Sequence, residues 1–156
     1  MPEARAIDPV SKFRFEVVSP SLKGGFSKVT GIKEEIAVED KRYGTEPFYT
    51  RKMKGEVKGG QLTLERGVVK DFDLFRRWYA RARAGTQAYR EIVEIQVKDE
   101  EDNIVRRLKA IEAWPISYEI SDLDAKASDV AVETITLVFD WIKFSLATTG
   151  ASGGAH

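Results

Sequence analysis

Short stretches in which apolar and polar residues alternate recur along most of the chain. Alternation with a period of two places apolar side chains on one face of an extended strand, so each stretch predicts a half-buried β-strand. Glycine, proline and charged residues separate the stretches, as turns require. The pattern predicts strands over residues 13–18, 25–30, 32–39, 53–58, 61–66, 89–98, 104–113, 116–120 and 130–144.

The last of these stretches, residues 130–144, is unusually long for a strand. Fifteen residues would extend roughly 50 Å, whereas strands usually have about five or six residues. In a chain of this size such a strand is expected to outrun its local partners and to leave backbone groups unpaired. Closing the sheet across several copies of the chain into one ring would pair those groups.

One segment has the 3.6-residue period of an amphipathic helix instead. Asp71 is the predicted N-cap, and Gly85 occupies the position of a left-handed C-terminal residue. Apolar side chains between them fill a continuous arc of roughly 160°, and four arginines fall outside it. The arc consists of Phe72, Leu74, Phe75, Trp78, Tyr79 and Ala82, and the arginines are Arg76, Arg77, Arg81 and Arg83.

Strands before and after a single helix, without β-α-β alternation, indicate a mainly β fold of the α+β class. We expect an antiparallel β-sandwich or partial barrel of about eight strands with one packed helix. The 156 residues are predicted to form a single domain, with a core over about residues 8–146 and a flexible glycine-rich tail over 147–156.

The composition excludes several kinds of chemistry. The chain has no cysteine, which rules out disulfides, thiolate-bound zinc and thiol catalysis. Its one histidine is His156, at the end of the predicted tail, so histidine-dependent catalysis is not expected. Basic and acidic residues both number 25, and this neutral balance argues against specific nucleic-acid binding. We therefore predict no enzyme activity and no cofactor.

Two further features bear on location and on metals. The first twelve residues carry acidic side chains and no apolar run, so we expect no signal peptide, assembly in the cytoplasm and no membrane insertion. Three aspartates, Asp122, Asp124 and Asp129, cluster in one predicted loop, but Lys126 falls where a calcium loop would need a ligand. Ordinary loop aspartates explain this cluster better than a metal site.

Charge is unevenly distributed around the helix. Residues 70–90 are predominantly basic and residues 91–103 predominantly acidic. A segregated surface of this kind can steer association with a complementary partner or with another copy. The alternative is that the arginines form an ordinary solvated helix face.

The predicted loop over residues 40–52 is the strongest local indication of a protein interface. It is long for a hairpin connection and rich in side chains that are common at interface hot spots. Alternatively, its aromatic rings pack into the core of their own subunit. The candidate interface residues are Tyr43, Gly44, Glu46, Pro47, Phe48, Tyr49 and Arg51.

Four blocks, in this order and spacing, resemble the tail tube proteins of contractile phage tails and phage-tail-like injection systems. The resemblance covers roughly residues 8–144. The blocks are DPVSKFRFEV, GGFSKVTGIKEEIAVEDKRYG, GGQLTLERGVVKDFDLFRRWY and AWPISYEISDLDAKASDVAVETITL.

The resemblance implies a structural role. It implies that six subunits form a ring whose sheets join into one barrel, and that rings stack into an inner tube inside a contractile sheath, with DNA or protein cargo in the lumen. It places the loop over residues 40–52 against neighbouring subunits and the arginine face of the helix towards the sheath. The expected partners are the chain itself, a sheath protein, and baseplate or tube-initiator proteins.

Two other interpretations stay open at this point. The same fold can serve as a tube-initiator, completion or adaptor ring that binds partners without polymerising. A small-ligand-binding β-barrel would instead need an apolar interior cavity, with the aromatic loop as its lid.

Overall fold

The computed structural model describes residues 12–42, 44–45, 48–85, 88–121, 123–126 and 131–145. Within these ranges the chain forms ten β-strands and one α-helix, and the predicted tail over residues 147–156 lies outside them. The strands are β1 (Arg14–Val18), β2 (Lys23–Phe26), β3 (Lys28–Thr30), β4 (Glu35–Lys41), β5 (Arg51–Lys58), β6 (Gly60–Gly67), β7 (Glu91–Lys98), β8 (Ile104–Ile120), β9 (Val132–Phe139) and β10 (Trp141–Ser145). The helix α1 covers Asp73–Ala84.

Eight of the strands form one antiparallel sheet in the order β2-β1-β7-β8-β9-β6-β3, with β10 paired to β8 beside this path. Only Ser27 separates β2 from β3, and its N–H donates to the Glu65 carbonyl at 2.9 Å. The two ends of the strand order therefore lie close together, and the sheet curves into an open partial barrel. This mainly β architecture with one helix confirms the predicted fold class.

Strand β8 is the longest and replaces two shorter predicted strands. Its 17 residues would extend about 56 Å. Pro115 lies within it. Strand β7 pairs with β8 only as far as Ala113, so Pro115 belongs to a part of β8 that has a described partner on one side only. The β8–β9 register shifts between Pro115 and Ser117, and a proline is tolerated at such a bulge or edge because it has no N–H to pair.

The prediction of one uninterrupted strand over residues 130–144 is wrong. Asp140 separates β9 from β10, and its N–H donates to the Ile111 carbonyl at 2.9 Å. Nearby Glu112 has φ +60°, a backbone conformation typical of a bulge that bends a ladder. Both strands pair with the same edge of β8.

The core lies between the curved sheet and the helix. Trp78 is completely buried, and its indole N–H donates to the Tyr89 carbonyl at 2.6 Å. Phe75 packs against Tyr118 of β8, with ring centroids 5.7 Å apart. The remaining core is mainly aliphatic. It contains Phe26 and Phe139 and, among others, Val17, Leu62, Leu64, Val93, Ile95, Leu108, Ile135, Leu137 and Ile142.

The helix ends as predicted but begins differently. Gly85 adopts the left-handed conformation at the C-terminus, with φ +68°. The N-cap is Phe72 rather than Asp71, and no side chain bonds the first turn. The Phe72 ring packs 4.8 Å from that of Tyr118, so aromatic packing fixes this end in place of a capping hydrogen bond. Leu74, predicted on the buried arc, is half exposed.

Among the described residues, no helix is both long enough and apolar enough to cross a membrane.

Candidate assembly surfaces

Strands β4 and β5 form a hairpin that stands apart from the rest of the fold. They pair with each other, and neither pairs with a described strand of the eight-stranded sheet. No residue of either strand is fully buried, and Val38 is 62% exposed. An isolated two-stranded hairpin is marginally stable in water, so this one is expected to need a further surface.

The two faces of β4 differ in chemistry. Ile36 and Val38 share one face, because alternate residues of a strand point the same way. Glu35 and Glu39 lie on the other face with Ala37 between them. A bulge interrupts the ladder in β5, where Gly55 and Glu56 oppose Ala37. Over residues 35–39, β4 therefore presents an apolar strip on one face and an acidic strip on the other, and Asp40 and Lys41 follow on these two faces respectively.

The loop joining the two strands is shorter than predicted, and its two described aromatic side chains are exposed. The flanking strands extend to Lys41 and resume at Arg51, so Arg51 belongs to β5 and not to the loop. Phe48 and Tyr49 are 96% and 62% exposed and contact each other edge to face, with centroids 5.4 Å apart. The aromatic rings of these two residues do not pack into the core of their own subunit.

The other predicted loop residues divide into two groups. Gly44 is described and has φ +74° with open space around it, as expected for a turn glycine. Tyr43, Glu46 and Pro47 lie outside the described residues.

Ion pairs hold three of the four helix arginines. Arg76 and Arg77 both pair with Asp73, one turn earlier in the helix. The hydrogen bond from Arg76 is the main cause that lowers the pKa of Asp73. Arg81 contacts Glu91 at 3.1 Å. Much of the predicted cationic face is thus neutralised locally.

Arg83 is different, because its guanidinium lies 5.6 Å from the ring centre of Tyr79. This stacking leaves the positive charge of Arg83 available at the surface.

A buried polar network that was not predicted from the sequence crosses the barrel. Arg66 donates to Glu133 at 2.5 Å, and the Tyr118 hydroxyl donates to the other carboxylate oxygen at 2.7 Å. Arg66 also donates to the Lys23 carbonyl and lies over the Phe26 ring. The network therefore ties β2, at one end of the strand order, to β6, β8 and β9. Its signal in the sequence was Glu133, which has the same parity as the buried Ile135 and Leu137.

The acidic segments form no metal site in the described part of the chain. No group of three or more potential ligands comes together there. Asp124 accepts from the Lys126 backbone N–H, whereas Asp122 and Asp129 lie outside the described residues. The Asp99 carboxylate accepts from backbone N–H groups within its own turn, chiefly that of Asn103, which lowers the pKa of Asp99.

Several strands of the fold have one backbone edge without a described partner. They are the outer edges of β2, β3 and β10, the part of β8 beyond Ala113, and both strands of the hairpin. Such edges promote pairing with other chains unless something covers them. We expected unpaired backbone N–H and C=O groups on one long last strand. In the described residues they lie on these several edges instead.

Several solved structures share this fold at low sequence identity. The tube-terminating cap of the anti-feeding prophage superposes with a TM-score of 0.72 at 23% sequence identity, covering 89% of this chain and 92% of that one. The sheath-tube complex of the extracellular contractile injection system PVC superposes with a TM-score of 0.71 at 22% identity, covering 94% and 98%. Hcp1 from Salmonella typhimurium, at 9% identity, has a TM-score of 0.54 and covers 92% and 90%.

Sequence comparison identifies the family directly. No curated protein sequence matches the chain. A family model, that of the T4-like virus tail tube protein gp19, matches residues 11–143, which is most of the chain. The chain therefore belongs to the T4-like virus tail tube protein gp19 family.

Proposed function

We propose that this chain is the structural subunit of the inner tube of a contractile phage tail or of a phage-tail-like injection system. Six subunits form a ring, and rings stack into a hollow conduit for DNA or protein cargo. Membership of the tail tube family supports this role. The observation that carries it is the exposed hairpin, whose apolar strip and aromatic loop have no counterpart within the described part of their own chain.

The hairpin supports assembly because its burial would be favourable only between subunits. Phe48, Tyr49 and Val38 expose apolar surface that water solvates poorly, and each aromatic ring covers a large area when buried. The strand edges beside them add backbone donors and acceptors that a neighbouring copy can pair. In this proposal a single subunit is folded but incomplete, and the ring completes it.

A ring of the same fold that terminates or initiates the tube is the second candidate. The specific observation in its favour is the resemblance to the anti-feeding prophage tube-terminating cap, which is as close as that to the PVC sheath-tube complex. A terminating ring would form six-subunit rings without stacking them.

Contact with the sheath is a further part of the proposal. The arginine face of α1 is proposed to point outwards, as the resemblance to tail tube proteins implies. Arg83 is the best placed of the four arginines, since Arg76, Arg77 and Arg81 already have acidic partners. Particles are proposed to assemble in the cytoplasm and to become part of a virion tail or a released particle.

Negative-stain electron microscopy of the purified protein over a range of concentrations tests the proposal. Stacked six-fold rings with an open lumen are expected for a tube subunit, and separate rings that never stack are expected for a terminating ring. Uniform monomers at every concentration, even with a baseplate template added, would contradict both. The paired substitution Phe48→Asp with Tyr49→Asp is expected to abolish ring formation, and intact rings would remove the loop from the interface.

A further inference from the structure

We propose that a cavity at the open seam of the barrel is a binding site for a small organic carboxylate with an apolar body. The cavity has a volume of about 350 Å³, within the range of small-molecule sites. It lies where the barrel is open, because β2 pairs with β1, β3 pairs with β6, and the two strands are joined only through Ser27. The binding of such a ligand does not depend on the proposed assembly role.

The floor of the cavity is aromatic. Phe15 and Phe26 lie directly opposite each other on β1 and β2 and share the face of the buried Val17. Phe26 is buried, and Phe15 packs against the same core. Gly25, which also lines the cavity, adds no side chain to the space above the rings. An apolar ligand body would therefore lose contact with water here and gain contact with two rings.

Arg66 is the main polar group of the site. Its side chain lines the cavity and is only 8% exposed. Its Nε donates to Glu133 at 2.5 Å, and its Nη1 donates to the Lys23 carbonyl at 3.2 Å. Its Nη2 has no hydrogen-bond partner among the described residues and is not sealed from solvent. The two N–H groups on this nitrogen thus remain available to a ligand that enters the cavity.

The backbone of β2 helps to position this guanidinium. Gly24 has φ +132°, a conformation that favours glycine, and a Cβ there would lie 2.9 Å from Nη1 of Arg66. The guanidinium also lies over the Phe26 ring, 4.4 Å from its centre. Glycine at position 24 therefore leaves room for Arg66, while Phe26 and Glu133 restrict its orientation. A donor that is already fixed loses little further freedom when a ligand binds.

Lys98 supplies further donors at the rim of the cavity. Its side chain is 18% exposed, and its ammonium donates to Glu16 at 2.8 Å. An ammonium has three N–H groups, so Lys98 keeps donors for a ligand. Arg14 lies directly across from Lys98 on β1, also lines the cavity, and pairs with Asp102. The rim is therefore rich in N–H groups on the side opposite the aromatic floor.

These groups select a ligand that accepts hydrogen bonds. Among the described lining residues, three are cationic and one, Glu16, is acidic. Asp102 and Glu133 pair with two of the cations from outside the lining, so the spare capacity of the site consists of N–H donors rather than of net charge. A carboxylate has two acceptor oxygens, and its charge-assisted hydrogen bonds are roughly twice as strong as neutral ones. An amide of the same shape has one acceptor oxygen, and its NH₂ group would face these donors.

A matched pair of probes tests the site. Phenylacetate and phenylacetamide share an apolar ring and differ in the group that would meet Arg66 and Lys98. Each is titrated into the purified protein, at a protein concentration below ring formation, and binding is followed by the NMR chemical shifts of the backbone amides. We expect saturable shifts around Gly25 and Ser27, with a Kd for phenylacetate at least about tenfold below that for phenylacetamide. Equal affinities, or no saturable binding of phenylacetate, would overturn the proposal.

Substitutions at the rim test where the acid binds. Lys98→Met is expected to raise the Kd for phenylacetate about tenfold. Lys143→Met, at an exposed lysine of β10, is the matched control and is expected to leave the Kd unchanged. Arg66 is kept in every variant, because its removal would leave Glu133 buried without a counter-ion. An unchanged Kd in Lys98→Met would overturn the proposal.

A second variant fills the cavity itself. Ser27 is exposed at the mouth, so the ring introduced by Ser27→Phe is expected to occupy the space above Phe15 and Phe26 and to abolish binding of both probes. Circular dichroism establishes that the variant is folded. Binding that persists in the folded variant would place the acid elsewhere and overturn the proposal. If Ser27→Phe does not fold, the comparison of Lys98→Met with Lys143→Met decides the matter by itself.

Discussion

The barrel and the hairpin are built from the same kind of strand but are stabilised in different ways. In β6 and β9 every second side chain is buried, and the buried positions of one strand lie opposite those of the other. In β4 and β5 the same alternation of apolar and polar residues leaves every residue at least partly exposed. The barrel carries its own second layer in the form of the opposite wall and α1, and the hairpin has none.

This difference teaches that an alternating pattern indicates a face to be buried and does not indicate what buries it. Leu64 and Val38 occupy equivalent positions in the pattern of their strands, yet one is fully buried and the other is mostly exposed. Substitutions in the barrel are expected to act on the stability of a single subunit. Substitutions in the hairpin are expected to act on assembly.

The largest effect is expected at the buried ion pair of the barrel. Replacing Glu133 by Ala leaves the Arg66 guanidinium buried without its counter-ion, which should lower the free energy of unfolding by about 3–5 kcal/mol. Urea denaturation of the monomer, at a concentration below ring formation, measures this loss. Asp40→Ala in the hairpin removes an exposed ion pair with Lys52 and serves as the control, with a change of at most about 1 kcal/mol expected. Similar losses for both variants would mean that the two regions are not stabilised differently.

A pair of matched truncations sharpens the comparison. Leu64→Ala should destabilise the monomer by about 2–5 kcal/mol through the cavity it creates. Val38→Ala should change the unfolding free energy of the monomer by no more than about 0.5 kcal/mol, yet raise the concentration needed for ring formation. Denaturation and sedimentation velocity of the two variants provide the readings. A destabilised monomer in the Val38→Ala variant would show that the hairpin already packs on its own subunit.

Much of this division could be predicted from the sequence, and its limits have physical causes. The helix and most strands were predictable because their apolar residues repeat with clear periods, whereas the exposure of Phe48 and Tyr49 was only one of two interpretations that their loop allowed. The bend at Glu112 and Asp140 was not predictable, because nothing in the neighbouring sequence indicates that this glutamate adopts a positive φ. The separation of β4 from the sheet was not predictable either, since the apolar face that Ile36 and Val38 form indicates burial equally well against a core or against a neighbour.

Substitution of two glycines by alanine tests how rigid the junction between the hairpin and the barrel is. The expected loss of unfolding free energy is smaller than for the changes above. A Cβ on Gly59, at the junction of β5 and β6, would lie 2.1 Å from the Phe139 carbonyl oxygen. Gly59→Ala should therefore cost about 3 kcal/mol, because backbone has to move. Gly44→Ala, in the loop at the hairpin tip, has open space and should cost only about 1 kcal/mol for its positive φ. Equal unfolding free energies for the two variants would show that the junction at Gly59 is not rigid.

The smallest effect is a pH dependence that belongs to the barrel alone. Burial, together with the hydrogen bond to Glu133, raises the pKa of Tyr118 to about 12. The folded state therefore holds the phenolic proton more tightly than the unfolded state, whose ordinary value is about 10. The resulting stabilisation is fully present below about pH 10 and is lost as the pH rises through about 12. Unfolding free energies measured across this interval should fall less steeply in Tyr118→Phe than in the wild type. A slope in Tyr118→Phe as steep as that of the wild type would show that the barrel does not hold this proton more tightly than the unfolded chain does, and would weaken the distinction between the two regions.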